Sequence, residues 1–279
     1  MSFVDLHLHS TYSDGSDSPA LIVSRACAAG ACAIAITDHD TVAGVAPGRA
    51  AATAAGLGFL SGVEISAGFQ HREIHVLGLG IDENEANLVG GLDALCTARN
   101  SRGLRILACL AEAGFALPDF ASPQPVAGSA LGRMHIACAM VAAGYVKKPQ
   151  EAFDRFLNSG RPAYVPKETI PLETALALIH GAGGLAFVAH PGLGKSVRKM
   201  LPALLELPFD GIEAYHVSHT PGRVEEFAAL ARERGLLITG GSDCHGTIKG
   251  QAPLLGTVQT PASVLADIRA ELKARLTIP

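Results

Sequence analysis

The sequence predicts an α/β fold built as a seven-stranded βα barrel, with a small helical insertion over its mouth. Three observations lead there. Short β-rich runs alternate with Ala-rich helical stretches, which implies parallel strands joined by crossover helices. No Gly-rich nucleotide fingerprint follows the first run, which argues against an open doubly wound sheet. Residues of metal-ligating type sit mostly at the C-terminal ends of the runs, where βα barrels carry their active sites.

The strands are predicted at 3–9, 32–37, 58–64, 73–79, 184–189, 210–216 and 236–241. Helices are predicted at 18–29 and 41–56. The first has a good start signal in Ser18-Pro19, a capping hydroxyl before a proline at the first helical position, and a good stop in Gly30. The alternation breaks between about 82 and 170. A long helical pattern covers 84–113 and stops at Gly114. A loop with Pro118, Pro123 and Pro125 follows, then helices near 129–143 and 149–158. This divides the chain into a barrel, 1–99 and 166–279, and a helical insertion, 100–165, placed to cap the barrel and contact substrate.

Composition narrows the function. Of the 279 residues, 48% are hydrophobic and 17% charged, which fits a buried globular core. A net charge of −4 argues against a protein that coats nucleic acid, though not against a local basic pocket. No apolar stretch approaches the ~20 residues of a membrane span. The N-terminus lacks the order of a signal peptide. Cys27, Cys32, Cys96, Cys109, Cys138 and Cys244 show no CxxC spacing, and most sit in helix-like, apolar surroundings and read as buried thiols. These features favour a reducing cytoplasm.

The chemistry lies in the histidines and carboxylates. His7 and His9 alternate along the first strand and project to one face, where two imidazoles can grip one ion. With Asp14, His39, Glu64, His75, His190, Asp243 and His245 they make nine candidate ligands, nearly all at strand ends. His75 is the exception, since it lies inside its run and needs a long or bent strand to join the others. Imidazole and carboxylate without thiolate suit Mn²⁺, Zn²⁺ or Fe²⁺. Nine ligands are too many for one ion, and with a bridging carboxylate they could hold three. Cys244 should point to the opposite face and pack. Asp38 and Asp40 flank His39 and either orient an imidazole from behind or cap the helix at 41–56. Asp5 shares the face of His7 and His9 but lies deeper.

The runs Asp5-Leu6-His7-Leu8-His9-Ser10, Asp14-Gly15, Thr37-Asp38-His39-Asp40, Gly62-Val63-Glu64, Ala189-His190-Pro191 and Gly241-Ser242-Asp243-Cys244-His245 occur in that order. They resemble, over nearly the whole chain, the motifs of the PHP (polymerase and histidinol phosphatase) family. The resemblance implies a distorted seven-stranded βα barrel with a trinuclear metal centre, probed best with Mn²⁺. Carried over, His7, His9, Glu64 and Asp243 hold one ion. Glu64 bridges to a second, completed by His75 and His190. Asp14, His39 and His245 hold the third. Histidinol-phosphatase members often have His where this chain has Asp14, a departure that counts against their substrate here.

Gly132-Arg133-Met134-His135 and Gly160-Arg161-Pro162-Ala163-Tyr164 resemble the nucleotide-acting branch of that family. The implied reaction removes the 3′-phosphate of a 3′,5′-bisphosphonucleotide, pAp to AMP and phosphate, by attack of a metal-bridging hydroxide. The alternative is a 5′-to-3′ exoribonuclease acting on short 5′-phosphorylated RNA. Two further classes are weighed. A C–N hydrolase of the amidohydrolase type would commonly use a modified lysine as bridge, and the matching residue here is Glu64. A non-catalytic, metal-stabilised module would not need every ligand in a stand-alone chain.

Substrate contacts are expected from the insertion and its return. Arg102, Arg105, Arg133 and Lys167 form a candidate second phosphate pocket, with Ser129 and His135 beside it at the start of a helix. Arg99 reads as a solvated surface residue. His216 is the candidate proton donor to the leaving alkoxide, with His219 as its neighbour. A nucleotide is the expected partner, with AMP as product and short RNA as the variant. Neither a membrane nor a protein partner is implied.

Overall fold

The computed structural model describes residues 2–117, 131–193, 195–247 and 252–277. Its elements are β1 (Phe3–Leu8), α1 (Pro19–Ala29), β2 (Ala31–Ile36), α2 (Val45–Ala55), β3 (Gly58–Phe69), β4 (Arg72–Leu79), α3 (Ala86–Glu112), α4 (Arg133–Ala142), α5 (Pro149–Ala152), β5 (Ile170–Pro171), α6 (Leu172–Gly181), β6 (Leu185–Val188), α7 (Lys195–Leu204), β7 (Gly211–His216), α8 (Pro221–Glu233), β8 (Leu237–Gly241), β9 (Thr260–Pro261) and α9 (Ala262–Leu276). A π-helical turn, Phe153–Leu157, continues α5.

The fold is an α/β barrel. Among the described residues the strands run in the order β8-β7-β6-β4-β3-β2-β1-β9, with β5 alongside β3. The segment after β8 returns to β1 and nearly closes the sheet. Leu8 bridges to Cys244, the His9 amide donates to the Cys244 carbonyl at 3.0 Å, and the Asp243 amide donates to the His7 carbonyl at 3.0 Å. Gly241 permits this approach, because a Cβ there would lie 2.5 Å from the His7 Cβ and backbone nitrogen.

The sequence expectation needs three corrections. The two-residue strands β5 and β9 add to the seven predicted runs and are too short to leave a pattern. The sheet is mixed rather than parallel, since β4 runs antiparallel to both β3 and β6. No crossover helix separates β3 from β4. Gln70 and His71 both take positive φ, 47° and 62°, which is a two-residue hairpin turn. Helix α2 begins at Val45 rather than 41. Residues before it are drawn to β3 by a His39–Glu64 bridge and by the Asp40 amide, which donates to the Glu64 carbonyl at 2.9 Å.

Alternation along the strands separates two environments. On β3 and β4, Val63, Ile65, Ile74 and Val76 join a buried apolar cluster with α3 and α6. Their neighbours Leu60 and Leu77 belong to a second cluster, with Phe187 of β6 and Val264 and Ile268 of α9. Glu64 shares the face of Leu60, and His75 that of Leu77, so ligating residues continue an apolar face toward the mouth. The first turns of α3 also feed the barrel, through Leu88, Leu92 and Leu95. Its last turns, through Ile106 and Leu110, join a separate cluster with Ile136, Met140 and Phe156. Helix α3 therefore runs without interruption across residues 99 and 100. Among the described residues no helix is long and apolar enough to cross a membrane.

Candidate metal centre

Nine side chains converge at the strand ends, and Glu64 of β3 is their hub. Its Oε2 lies 3.3 Å from His7 Nε2, 3.2 Å from His9 Nε2 and 3.1 Å from His39 Nδ1. Its Oε1 lies 2.9 Å from both His75 Nδ1 and His190 Nε2. Asp243 faces the same space, with Oδ1 at 3.2 Å from His9 Nε2 and 3.5 Å from His7 Nε2. Asp14 approaches from the loop after β1, its Oδ1 3.3 Å from His245 Nε2. That loop is held by Asp38, whose carboxylate accepts from the Ser10 amide at 2.7 Å and the Ser10 hydroxyl at 2.6 Å, and from the Ser13 hydroxyl. Gly15 then passes so close to the His9 carbonyl that a Cβ there would sit 2.2 Å from it.

His75 joins because β4 is antiparallel. Its N-terminal half lies at the mouth, where the parallel strands have their C-termini, so a residue inside the run reaches the ligands without a bend. Three residues of the mouth, Asp40, His190 and Asp243, hold positive φ of 55°, 29° and 52°. Such backbone persists only where the surroundings fix it, and it gathers at functional sites.

The donor set fits bound cations. His7 Nε2, both ring nitrogens of His9, Asp14 Oδ1, His39 Nδ1 and Glu64 Oε2 are all buried without a hydrogen-bond partner. Buried polar atoms are ordinarily paired, so their convergence points to a missing common partner. Their donors form three groups with atoms within 4.8 Å of one another: His9, Asp14, His39 and His245; His7, His9, Glu64 and Asp243; and His39, Glu64 and His75. None contains a thiolate, and Cys244 packs in an apolar cluster instead. Electrostatics point the same way. Burial opposes charge on His9 and His75, yet Asp243 and Glu64 hold the His9 imidazolium up at about 10, and Glu64 and Glu73 hold that of His75 up at about 9. Burial likewise disfavours the Glu64 carboxylate, but the surrounding imidazoles keep it well below the usual range. The clustered carboxylates thus demand positive charge, from protons or from metal ions.

One cavity joins this cluster to a cationic wall. Its lining runs from Asp14, His39, Glu64 and Asp243 to Arg99, Arg102, Arg133 and Lys167, with Met134, Phe153 and Leu193 between. Arg102 and Arg133 lack a carboxylate partner among the described residues. Arg102 Nε donates to the Val165 carbonyl at 2.8 Å, and Arg133 lies over the Phe153 ring at 5.5 Å. Burial and the nearby Arg133 push the Arg102 guanidinium down to about 10.

A family model described as the PHP domain matches residues 5–130. A 3′,5′-nucleoside bisphosphate phosphatase of Chromobacterium violaceum is 36% identical over 100% of this chain and 99% of its own length. The chain belongs to the PHP family of metal-dependent phosphoesterases. A 5′-3′ exoribonuclease of Haemophilus influenzae is also 36% identical, over 86% of this chain and 89% of its own. A solved structure from Bifidobacterium adolescentis, named for metal-dependent phosphoesterase character, superposes with a TM-score of 0.86 at 30% identity, covering 96% of each chain.

Within this PHP chain several sequence expectations move. Arg99 is not a solvated residue: it is nearly buried, ion-paired with Asp40, and lines the cavity. Arg105 lies on the exposed face of α3, 3.2 Å from Glu168, and is absent from the lining. Six residues on one helix turn it away from Arg99. His135 caps its own helix, its Nδ1 accepting from the Gly132 amide at 3.1 Å. Ser129 lies outside the described residues. His216 is buried behind Asp243, Nε2 3.5 Å from Asp243 Oδ2, and does not line the cavity, so it is not placed to protonate a leaving group there. His219 is a buttress, bonded to the Ala214 carbonyl and the Gly192 amide. Asp38 and Asp40 neither cap α2 nor bond an imidazole: Asp38 holds the β1 loop, and Asp40 binds the Ser66 amide at 2.7 Å and Arg99. Asp5 accepts from the Ser242 amide at 2.9 Å, and burial lifts its carboxyl to about 6.

Two residues escaped the sequence reading. Glu73 joins Lys167 to His75, accepting from Lys167 Nζ and lying 2.9 Å from His75 Nε2. Glu213 of β7 is fully buried against His7 and His190. Its one signal was a carboxylate inside an apolar strand, Gly211-Ile212-Glu213-Ala214.

Proposed function

We propose that this protein hydrolyses the 3′-phosphate of 3′,5′-bisphosphonucleotides such as pAp, giving AMP and phosphate. The observation that carries the reading is one cavity that joins the metal-ligand cluster, which would attract an anion once loaded with metal, to the Arg102–Arg133 wall. A substrate with two phosphates matches both.

Three divalent ions would occupy the floor, with Mn²⁺ the first choice. His7, His9, Glu64 and Asp243 would hold one. Glu64, His75 and His190 would hold the second, and Asp14, His39 and His245 the third. Bound there, they would activate water and neutralise the phosphoryl oxygens. The chain's own residues do the rest. Arg102 and Arg133 bind the 5′-phosphate as guanidinium donors. Lys167 is held by Ser66 Oγ at 2.7 Å and by Glu73, so it adds positive potential from a fixed position. Arg99, neutralised by Asp40, chiefly clasps α3 to the loop carrying His39. The segment 100–165 acts as the cap that supplies this wall, and the cytoplasm is the compartment proposed.

The exoribonuclease reading shares the 5′-phosphate anchor, and the H. influenzae relative favours it equally by identity. One assay separates them. Mn²⁺-loaded protein should release phosphate from pAp faster than it releases nucleotides from a 5′-phosphorylated oligoribonucleotide. The opposite ranking would move the assignment to the nuclease.

A further inference from the structure

Glu213 touches two members of the metal-ligand cluster at once. Its Oε1 lies 2.9 Å from His7 Nδ1. Its Oε2 accepts the His190 backbone amide at 2.6 Å. All three residues are buried, and Glu213 and His7 are 0% exposed. His7 and His190 come from distant parts of the chain, on β1 and after β6, and each faces a different oxygen of Glu64.

An ionised carboxylate only accepts hydrogen bonds. Beside Glu213, His7 must therefore carry its proton on Nδ1. In the neutral imidazole, the form that ligates a metal, the lone pair is then on Nε2, which faces Glu64 and Asp243 and has no hydrogen-bond partner. The other oxygen fixes the His190 amide, in a residue whose φ of 29° is unfavourable for a side-chain-bearing residue. We infer that Glu213 is a positioning residue of the metal centre, setting the tautomer of His7 and the backbone of His190 with one side chain. The inference rests on the metal-centre reading above.

Glutamine at this position has the same shape but a single acceptor. If its oxygen takes the His190 amide, its NH₂ must donate to His7 Nδ1. The His7 proton then moves to Nε2 and points into the place of the ion. If instead its oxygen faces His7, two N–H donors oppose one another at His190. Neither arrangement preserves both ligands, although little volume changes.

The test compares Mn²⁺ binding to metal-free wild type and E213Q, reading free Mn²⁺ by electron paramagnetic resonance, with circular dichroism and Tm recorded on the metal-free proteins. Loss of such an outer partner typically weakens metal binding by about 10- to 100-fold. E213Q should bind at least one Mn²⁺ that much more weakly while retaining its fold. Equal binding by the two proteins would overturn the role of Glu213. Wild type that binds no Mn²⁺ would instead overturn the metal-centre reading. A second measurement needs no variant. In Zn²⁺-loaded wild type with ¹⁵N-labelled histidine, His7 should show its proton on Nδ1, and a proton on Nε2 would overturn the inference.

Discussion

The floor and the wall of the cavity are built by opposite strategies. The floor is largely buried, and its candidate ligands come from the strands or from loops that follow them. Its geometry follows from sheet register. The wall comes largely from helices α3 and α4, which carry Arg99, Arg102 and Arg133. There position depends on how a helix is rotated. Arg99 and Arg105 show how much this matters: one is nearly buried on Asp40, the other more than half exposed on Glu168. A strand end commits a side chain to one of two faces, whereas a helix offers a continuous choice that only packing settles.

This contrast can be broken from either side. The largest effect is expected at the floor. Asp243→Asn removes the charge of a carboxylate that faces four imidazoles. Turnover of pAp should fall by more than ~100-fold, since outer partners of ligands alone cost about 10- to 100-fold. Phosphate release measured at saturating Mn²⁺ checks this, and near-wild-type turnover would remove Asp243 from the centre.

The wall should behave differently. Arg102→Met ought to raise KM for pAp by about 10- to 100-fold, the equivalent of about 1.5–3 kcal/mol for a hydrogen bond to a charged group. It should leave 3′-AMP, which lacks the 5′-phosphate, almost unaffected. Equal losses on both substrates would mean that Arg102 supports the fold rather than the 5′-phosphate.

A smaller effect separates protons from metal at the floor. In metal-free protein the raised pKa values of His9 and His75 stabilise the fold fully below their ordinary value near 6.5. That contribution is lost as pH rises through about 9 to 10. Mn²⁺ must displace those protons, so its affinity should climb over the same window. Tm recorded against pH with and without Mn²⁺ should give curves that diverge upward from pH 6.5, and parallel curves would contradict the account. The smallest effect belongs to Arg105→Ala. An exposed pair contributes about 0–1 kcal/mol, so KM and Tm should stay close to wild type.

The reading of the sequence divides along the same line. Ser18 accepts from the Leu21 amide and Gly30 ends α1 with φ 80°, as local chain chemistry predicts. The run 84–113 is a helix over Ala86–Glu112 for the same reason. His7, His9, Glu64, His190 and Asp243 were legible because period-two alternation and strand ends place them without knowledge of the partner strands. His75 was named as a candidate ligand, but how it reached the others was not legible. Its place depends on the antiparallel direction of β4, set by the Gln70-His71 turn.

The sequence by itself determined an α/β barrel and the chemical character of its mouth, because strand periodicity and ligand type are written residue by residue. Only the tertiary structure decided which arginines face the cavity, that His216 stands behind Asp243, and that Glu213 serves His7 and His190 together. Each of those depends on the rotation of a helix or on a contact between segments distant in the chain. In this molecule, for example, 206 positions separate His7 from Glu213. Side-chain chemistry is local, but the partner that gives it a role is found by packing.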